Sequence, residues 1–275
     1  MSGTIKKVRP CKGRGVCQPA AVLPLKDNIP TRRPPIFTIA IIAICVIVYF
    51  GLQKGGINGP TDGSVVKYSA IPYEITHPGK HCDFAQGQVI CEGTKGVRGH
   101  ADSQPATLLT ILFAMFMHGG LLHLGGNMLF LWIFGNNVED SMGRGRFLIF
   151  YLLGGLVATA AQVVVDPSST TPTLGASGAI AAVLGGYALL YPRARVVTLV
   201  FIIIFVTVIE LPALLVLGVW FLLQLLDASS QPLQGGGGVA YFAHIGGFVF
   251  GLLMIRLFAN KIHDDYDRQA RIPVY

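Results

Sequence analysis

The sequence predicts an all-α polytopic membrane protein, a bundle of six transmembrane helices with a long outer loop after the first. Three observations predict it. Charged residues make up 13% of the 275 positions against 52% hydrophobic, where ordinary soluble domains carry about 25% charge. The mean hydropathy is +0.58. Glycine is abundant at 34 residues, which in an apolar chain suits close helix packing in lipid. A soluble globular enzyme, a disordered chain and a secreted disulfide knot are all disfavoured by this balance.

Residues 1–35 hold eight of the 21 Lys and Arg (Lys6, Lys7, Arg9, Lys12, Arg14, Lys26, Arg32, Arg33) together with Pro10, Pro19, Pro24, Pro30 and Pro34. They read as a basic, disordered cytosolic tail. The net charge of +7 therefore reflects orientation in a membrane rather than nucleic-acid binding, and no nucleic-acid partner is expected. Cys11 and Cys17, without a further Cys or His nearby, make a poor zinc set and are expected to be free thiols. The apolar run Ile36 to Leu52 follows with no clear small-residue cleavage site, so it reads as a retained first span.

The joint 53–105 carries Cys82 and Cys91, and its Lys54, Lys67, Lys80, Lys95 and Arg98 are offset by Asp62, Glu74, Asp83, Glu92 and Asp102. Further apolar runs lie at 108–135, 147–165, 174–190, 197–226 and 239–259. All are read as helices, because lipid tolerates no unpaired backbone. Arg144 and Arg146 follow span two, Arg193 and Arg195 follow span four, and Arg256, Lys261, Arg268 and Arg271 close the chain. The positive-inside rule then puts both termini in the cytoplasm, and the 53–105, 166–173 and 227–238 loops outside, with a plasma (inner) membrane expected. The run 197–226 is too long for one helix, and Val196 to Val208 is rich in β-branched residues. Residues 196–209 read as an interfacial or partly extended connection, with the fifth helix starting near Pro212 as its first-turn residue. The organisation expected is thus a tail (1–35), a six-helix domain (36–259, outer loop 53–105) and a cytosolic C-terminal tail (260–275). No repeat of fixed period supports a transporter built from inverted halves.

Polar residues inside apolar helices are expensive and mark function. They stand at His118, His123 and Asn127 in span two, Ser177 at the start of span four, and His244 in span six. Ser177 lies in the first turn of a helix that, counted from Leu174, is about 25 Å long, shorter than the roughly 30 Å hydrocarbon core. It can therefore sit below the surface in a watered recess. His244 is followed at i+3 and i+7 by Gly247 and Gly251, and Ser177 at i+4 and i+8 by Ala181 and Gly185. If these small faces pack, an imidazole nitrogen reaches the hydroxyl, as a nucleophile–base pair needs. His123 and Asn127, four residues apart, share a face, and together with the Ser177 N–H at a helix N-terminus can hold a developing oxyanion. His118 joins them only if Gly119-Gly120 breaks the helix. Bland readings exist for each: a serine bonding back to its own backbone, a histidine that only packs, or a metal site. The metal site lacks an acidic ligand or a His pair at i, i+4, so no metal and no cofactor is expected.

The ordered pattern His118-x4-His123-x3-Asn127, Gly175-x-Ser177-Gly178 and Ala243-His244-x2-Gly247-x3-Gly251, with Gly135 to Asp140 after span two, resembles the rhomboid family of intramembrane serine proteases over nearly all of 36–259. The resemblance implies a six-helix serine endopeptidase with a Ser–His dyad, cleaving in or next to the transmembrane helices of membrane-protein substrates through an acyl-enzyme. Ser177 would be the nucleophile and His244 the base. Ser177 N–H, His123 and Asn127 would form the oxyanion site, with His118 a lesser contributor. Substrates would enter between spans two and five, and the oligomeric state is left open. Two positions depart from the family: Ala181 stands where an aromatic often supports the catalytic histidine, and Ile71-Pro72-Tyr73-Glu74 replaces a Trp-Arg pair in the first loop. Cys82 and Cys91 have a spacing compatible with a disulfide on an oxidising side, with two free thiols the alternative.

Overall fold

The computed structural model describes residues 21–94, 101, 104–202, 205–230 and 240–260. The expectations for Cys11, Cys17, residues 231–238 and the tail beyond Asn260 lie outside them. In chain order the elements are β1 (Ala21–Asp27), α1 (Ile36–Ile47, extended by a π turn at Val48–Leu52), α2 (Asp62–Tyr68) and α3 (Pro72–Thr76). The hairpin β2 (Cys82–Ala85) and β3 (Gln88–Cys91) and the short helix α4 (Thr107–Ala114) follow. α5 (Leu121–Phe130) runs through a π turn (Leu131–Gly135) into α6 (Asn136–Met142) as one rod. Then come α7 (Arg144–Val165), α8 (Ser177–Leu190), β4 (Arg195–Ile202), β5 (Phe205–Pro212), α9 (Ala213–Ser230) and α10 (Tyr241–Phe258).

The centre is α8. From Gly178 to Leu190 every residue except Leu189 is buried, the pattern of a helix apolar on all sides and surrounded by others. Its glycines and alanines let its neighbours come close. A Cβ on Gly247 would strike the Gly178 carbonyl, one on Gly251 the Ala182 carbonyl, and one on Gly185 the Phe248 carbonyl. α10 and α8 thus touch backbone to backbone. α7 closes the other side, with Gly154 against Ala182 and Gly246 of α10 against Ala161. The outward faces of α1, α7, α9 and α10 expose large apolar side chains, up to 73% at Leu257 and 79% at Val164. Water would not tolerate such a belt, but hydrocarbon does. By length and composition α7 and α10 are long and apolar enough to cross a membrane, and Ile36–Leu52, Ser177–Leu190 and Ala213–Ser229 are shorter apolar helices.

Several expectations need correction. The protein is predominantly helical but not all-α: β1, β4 and β5 form an antiparallel sheet in the order β1-β4-β5, and β2 pairs with β3. Of the two readings of 196–209, interfacial or partly extended, the extended one holds: β4 (Arg195–Ile202) and β5 (Phe205–Pro212) are paired strands, and α9 begins at Ala213, next to Pro212, which ends β5 instead of opening the helix. The tail is not wholly disordered. Residues 21–27 pair with 196–201, with a register shift between Pro24 and Lys26, where a proline is tolerated on an edge strand. The second span does not start at 108, because α4 ends at Ala114 and the backbone restarts as a helix only at Leu121, after Gly119-Gly120. The fourth helix likewise begins at Ser177 rather than 174.

The described residues of 53–105 are folded over one end of the bundle around a small core of Val66, Ile71, Tyr73, Cys82 and Cys91. They are tied to the α7–α8 connection: Ala70 and Thr173 exchange backbone hydrogen bonds (3.0 and 2.8 Å), and Tyr73 N–H donates to the Ser169 carbonyl (2.9 Å). At the other end α6 is the anchor. Glu139 accepts from the N–H groups of Phe37 (3.0 Å) and Thr38 (2.8 Å), satisfying orphan donors at the start of α1. Asn137 Nδ2 (2.5 Å) and the Tyr187 hydroxyl (2.7 Å) donate to buried Asp27, fastening β1 beneath α8.

Candidate active site

Ser177 is the first residue of α8, so its N–H has no intrahelical partner. The turn that delivers it depends on Gly175, whose φ of +134° lies in a region L side chains rarely adopt, and whose N–H is pinned to the Ala114 carbonyl at 2.8 Å. A side chain there would also collide with the site, since its Cβ would lie 3.0 Å from His123 Cε1, 3.1 Å from His123 Nε2 and 3.3 Å from Ser177 Oγ. Gly175 keeps open the small space that these two side chains share.

His244, in the first turn of α10, is 8% exposed, and its Nε2 is 2.7 Å from Ser177 Oγ. The glycine contacts set this distance, because Gly247 lies one turn along α10 against Gly178, the residue after the serine. Ala181 is buried beside Gly247 and offers only a methyl group. The surroundings of the His244 ring come instead from Trp220 on α9 (centroids 5.9 Å apart), Tyr241 (6.4 Å) and Gln224 on α9, whose Oε1 lies 2.6 Å from His244 Nδ1.

His123 and Asn127 both face the cavity from α5. The Gly119 N–H donates to His123 Nδ1 (3.3 Å), which leaves the proton on Nε2, the nitrogen near Ser177. Among the described residues Asn127 Nδ2 is buried with no hydrogen-bond partner, a donor held ready for a group that arrives. His118 is fully buried and lies behind them. Its ring stands edge-on to His123 at 5.3 Å and is not among the cavity-lining residues. Gln53, at the end of α1, holds the backbone of His118 by accepting from its N–H (2.8 Å) and donating to its carbonyl (2.9 Å). The Gly119-Gly120 break is thereby fixed from outside α5.

These groups open into a cavity of about 500 Å³. Phe130, Ile180, Leu184 and Trp220 line its apolar side, and Gln162, Asp166, Ser169, Thr171 and Thr173 its polar side. A polypeptide with an apolar side chain at one position and exposed backbone beside it fits such a surface.

In the loop above the site a disulfide joins Cys82 and Cys91, directly opposite one another in the β2–β3 ladder. Glu74 accepts from the Cys82 N–H at 2.6 Å, and burial raises its carboxyl above the ordinary range. Cys45 is a free, buried thiol in α1. Ile71-Pro72-Tyr73-Glu74 forms the heart of this loop: Ile71 fills its core, Pro72 starts α3, and Tyr73 donates to the Glu92 carbonyl at 2.9 Å.

The description of the rhomboid domain matches residues 105–261, more than half of the chain. The chain belongs to the rhomboid family. It is similar to rhomboid protein 1, mitochondrial, of Saccharomyces cerevisiae, with 30% identity over 151 residues, 53% of this chain and 40% of that protein. It is 32% identical over 157 residues to rhomboid protease GluP of Bacillus subtilis, covering 57% of this chain and 24% of the relative. Against presenilin-associated rhomboid-like protein A, mitochondrial, of Danio rerio, identity is 31% over 159 residues, 56% of this chain and 39% of the relative. The chain thus spans at most two fifths of the length of these three relatives. The family is embedded in membranes, and its members are in general intramembrane serine proteases. Two of these three relatives carry "mitochondrial" in their names, so the expectation of a plasma membrane is not carried forward.

Sequence reasoning passed over three residues of the site. Gln224 is the sole polar side chain between Ala213 and Leu226, a signal of the same kind as those that single out His123 and Asn127. Gln162, three residues after Thr159, is a polar side chain near the end of α7. Gln53 falls at the first position of the 53–105 joint, where a polar residue carries no signal.

Proposed function

We propose that this rhomboid-family protein is an intramembrane serine endopeptidase that hydrolyses peptide bonds in or next to transmembrane helices of membrane-protein substrates. The observation that carries the reading is the 2.7 Å contact between Ser177 Oγ and His244 Nε2 at the mouth of a cavity lined by His123 and Asn127. Ser177 Oγ attacks the scissile carbonyl carbon while His244 Nε2 takes the hydroxyl proton. The carbonyl oxygen, now an oxyanion, is held by the Ser177 N–H, His123 Nε2–H and Asn127 Nδ2. Collapse breaks the C–N bond, His244 returns its proton to the leaving amine, and the acyl group stays on Ser177. Water then attacks the ester carbonyl while His244 accepts its proton; collapse breaks the C–O bond to Ser177, and His244 returns the proton to Ser177 Oγ as the new carboxylic acid leaves.

In this reading residues 36–259 are the protease domain. The six runs 36–52, 121–142, 144–165, 177–190, 213–230 and 241–258 are its spans, and 53–105 is the first outer loop. Arg144, Arg146, Arg193, Arg195 and Arg256 mark one side, which holds both termini. The active site and the Cys82–Cys91 hairpin open to the other, oxidising side. Substrates reach the cavity laterally between α5 and α9, and a helix that unwinds easily exposes its carbonyls to Ser177.

Incubation with a panel of tagged single-span proteins in proteoliposomes tests the proposal. Cleavage by the wild type and none by Ser177→Ala is the expected result. No cleavage of any substrate, with Ser177 inert to fluorophosphonates, would leave a rhomboid-like protein that binds clients without cutting them.

A further inference from the structure

We infer that Gln224 of α9 is a positioning residue for the base: its carbonyl oxygen holds the Nδ1 proton of His244 and so turns the basic lone pair of Nε2 onto Ser177. The inference rests on the Ser177–His244 reading and adds a third member to it. An amide oxygen only accepts, so the 2.6 Å contact between Gln224 Oε1 and His244 Nδ1 requires Nδ1 to carry the proton. Nε2 is then the acceptor for the Ser177 hydroxyl, 2.7 Å away on the opposite side of the ring. Without an acceptor at Nδ1 the proton can sit on Nε2 instead, where the imidazole faces the serine as a donor and cannot act as base.

The placement argues against an incidental contact. Leu217, Trp220, Phe221 and Gln224 share one stripe of α9, the stripe that meets α10. Leu217 is buried, Trp220 and Phe221 pack on Phe248 (centroids 6.1 and 4.5 Å apart), and Gln224 is 9% exposed. The other side of α9 presents Leu215, Val219, Leu222 and Leu226 outward. A buried amide on an otherwise apolar seam is costly unless it is bonded, and an apolar residue there would pack with no such cost. Ala181 supplies only a methyl group near the seam, so orientation of the ring falls to α9. A neutral amide also does this without placing a further charge within the bilayer.

Steady-state cleavage of a single-span substrate by the full chain in proteoliposomes, with Gln224→Met, Gln224→Glu and Ser177→Ala, tests the role. Met keeps the length and apolar volume and removes the acceptor. It should lower kcat about 10- to 100-fold and leave KM within about twofold, the size expected when a buried partner that orients a catalytic group is lost. Glu restores an acceptor at the same reach and should recover most of the rate. Nitrogen-15 spectra of labelled histidine should show His244 protonated on Nδ1 in the wild type and a mixture of tautomers in Gln224→Met. Wild-type kcat in Gln224→Met, or His244 protonated on Nε2 in the wild type, would overturn the role of Gln224 while leaving the dyad standing. Full cleavage by Ser177→Ala would instead remove the dyad itself, a distinct failure. If Gln224→Met does not fold, the wild-type tautomer decides alone.

Discussion

Replacing Gly247 with alanine adds a single methyl group at the point where α10 rests on α8. Its carbon would collide with the carbonyl oxygen of Gly178 and come within 3.3 Å of the Ala181 side chain. Both obstacles belong to a buried helix, and the first is backbone, so neither can turn aside. Restoring ordinary contact moves α10 away from α8 by on the order of 1 Å, and overpacking of this kind costs about 1–3 kcal/mol of stability. His244 lies one turn before Gly247 and Ser177 immediately before Gly178, so most of that displacement falls on their 2.7 Å contact. A misplacement of 1 Å between reacting groups costs about 100-fold in rate. Cleavage of a single-span substrate and thermal unfolding should be measured on the same preparation, with Gly218→Ala as control. Gly218 lies on α9 with nothing within 4 Å of its would-be Cβ, so that variant should keep its rate. Gly247→Ala is expected to stay folded and lose about two orders of magnitude in kcat/KM. Wild-type cleavage by Gly247→Ala would refute the claim that the glycine seam sets the catalytic distance.

Other perturbations separate the parts of the account. His123→Ala and Asn127→Ala should each lower turnover roughly 10- to 1,000-fold while leaving fluorophosphonate labelling of Ser177 largely intact, and full activity in both would move the oxyanion site elsewhere. Asp27 titrates at about 7, because burial outweighs the lowering effect of its Tyr187 hydrogen bond. Its neutral form is favoured by folding, so this stabilisation is complete below about pH 4 and is lost as pH rises through 7. Unfolding temperature should therefore fall between about pH 4 and 7 in the wild type and fall less in Asp27→Asn, and identical profiles would contradict the buried-acid reading. Alkylation of the non-reduced protein followed by mass spectrometry should find Cys82 and Cys91 protected as a pair, whereas full alkylation of both would rule out the bond.

The parts of the fold that are legible in the sequence are those whose cause is local. Long apolar runs mark α1, α7, α8 and α10. Ser177, His244, His123 and Asn127 stand out because each is polar within an apolar helix. β1 is illegible for the opposite reason: Leu23 and Leu25 alternate with Pro24 and Lys26 inside a basic segment, and the partner strand β4 is about 170 residues away. A strand whose pairing is that distant leaves no periodicity of its own. α4 merges with span two because Thr107 to Met117 has the composition of a membrane helix, and only the tie from Gly175 to Ala114 shows that the chain turns there. Gln224 carried the same signal as the residues that were recognised, but its partner is set by the α9–α10 seam, which no local pattern encodes. Glu139 and Asn137 likewise read as part of a connecting stretch until Thr38 and Asp27 meet them.

The central claim is that Ser177 is a nucleophile activated by His244. The most direct measurement is to label the purified protein in lipid with a fluorophosphonate and map the adduct by mass spectrometry in the wild type, Ser177→Ala and His244→Ala, with cleavage of a single-span substrate followed in parallel. One adduct, on Ser177, is expected in the wild type and none in either variant. Because nucleophile and base act as a unit, the double variant should cleave little worse than either single one. An adduct on another serine, or substantial cleavage by Ser177→Ala, would contradict it.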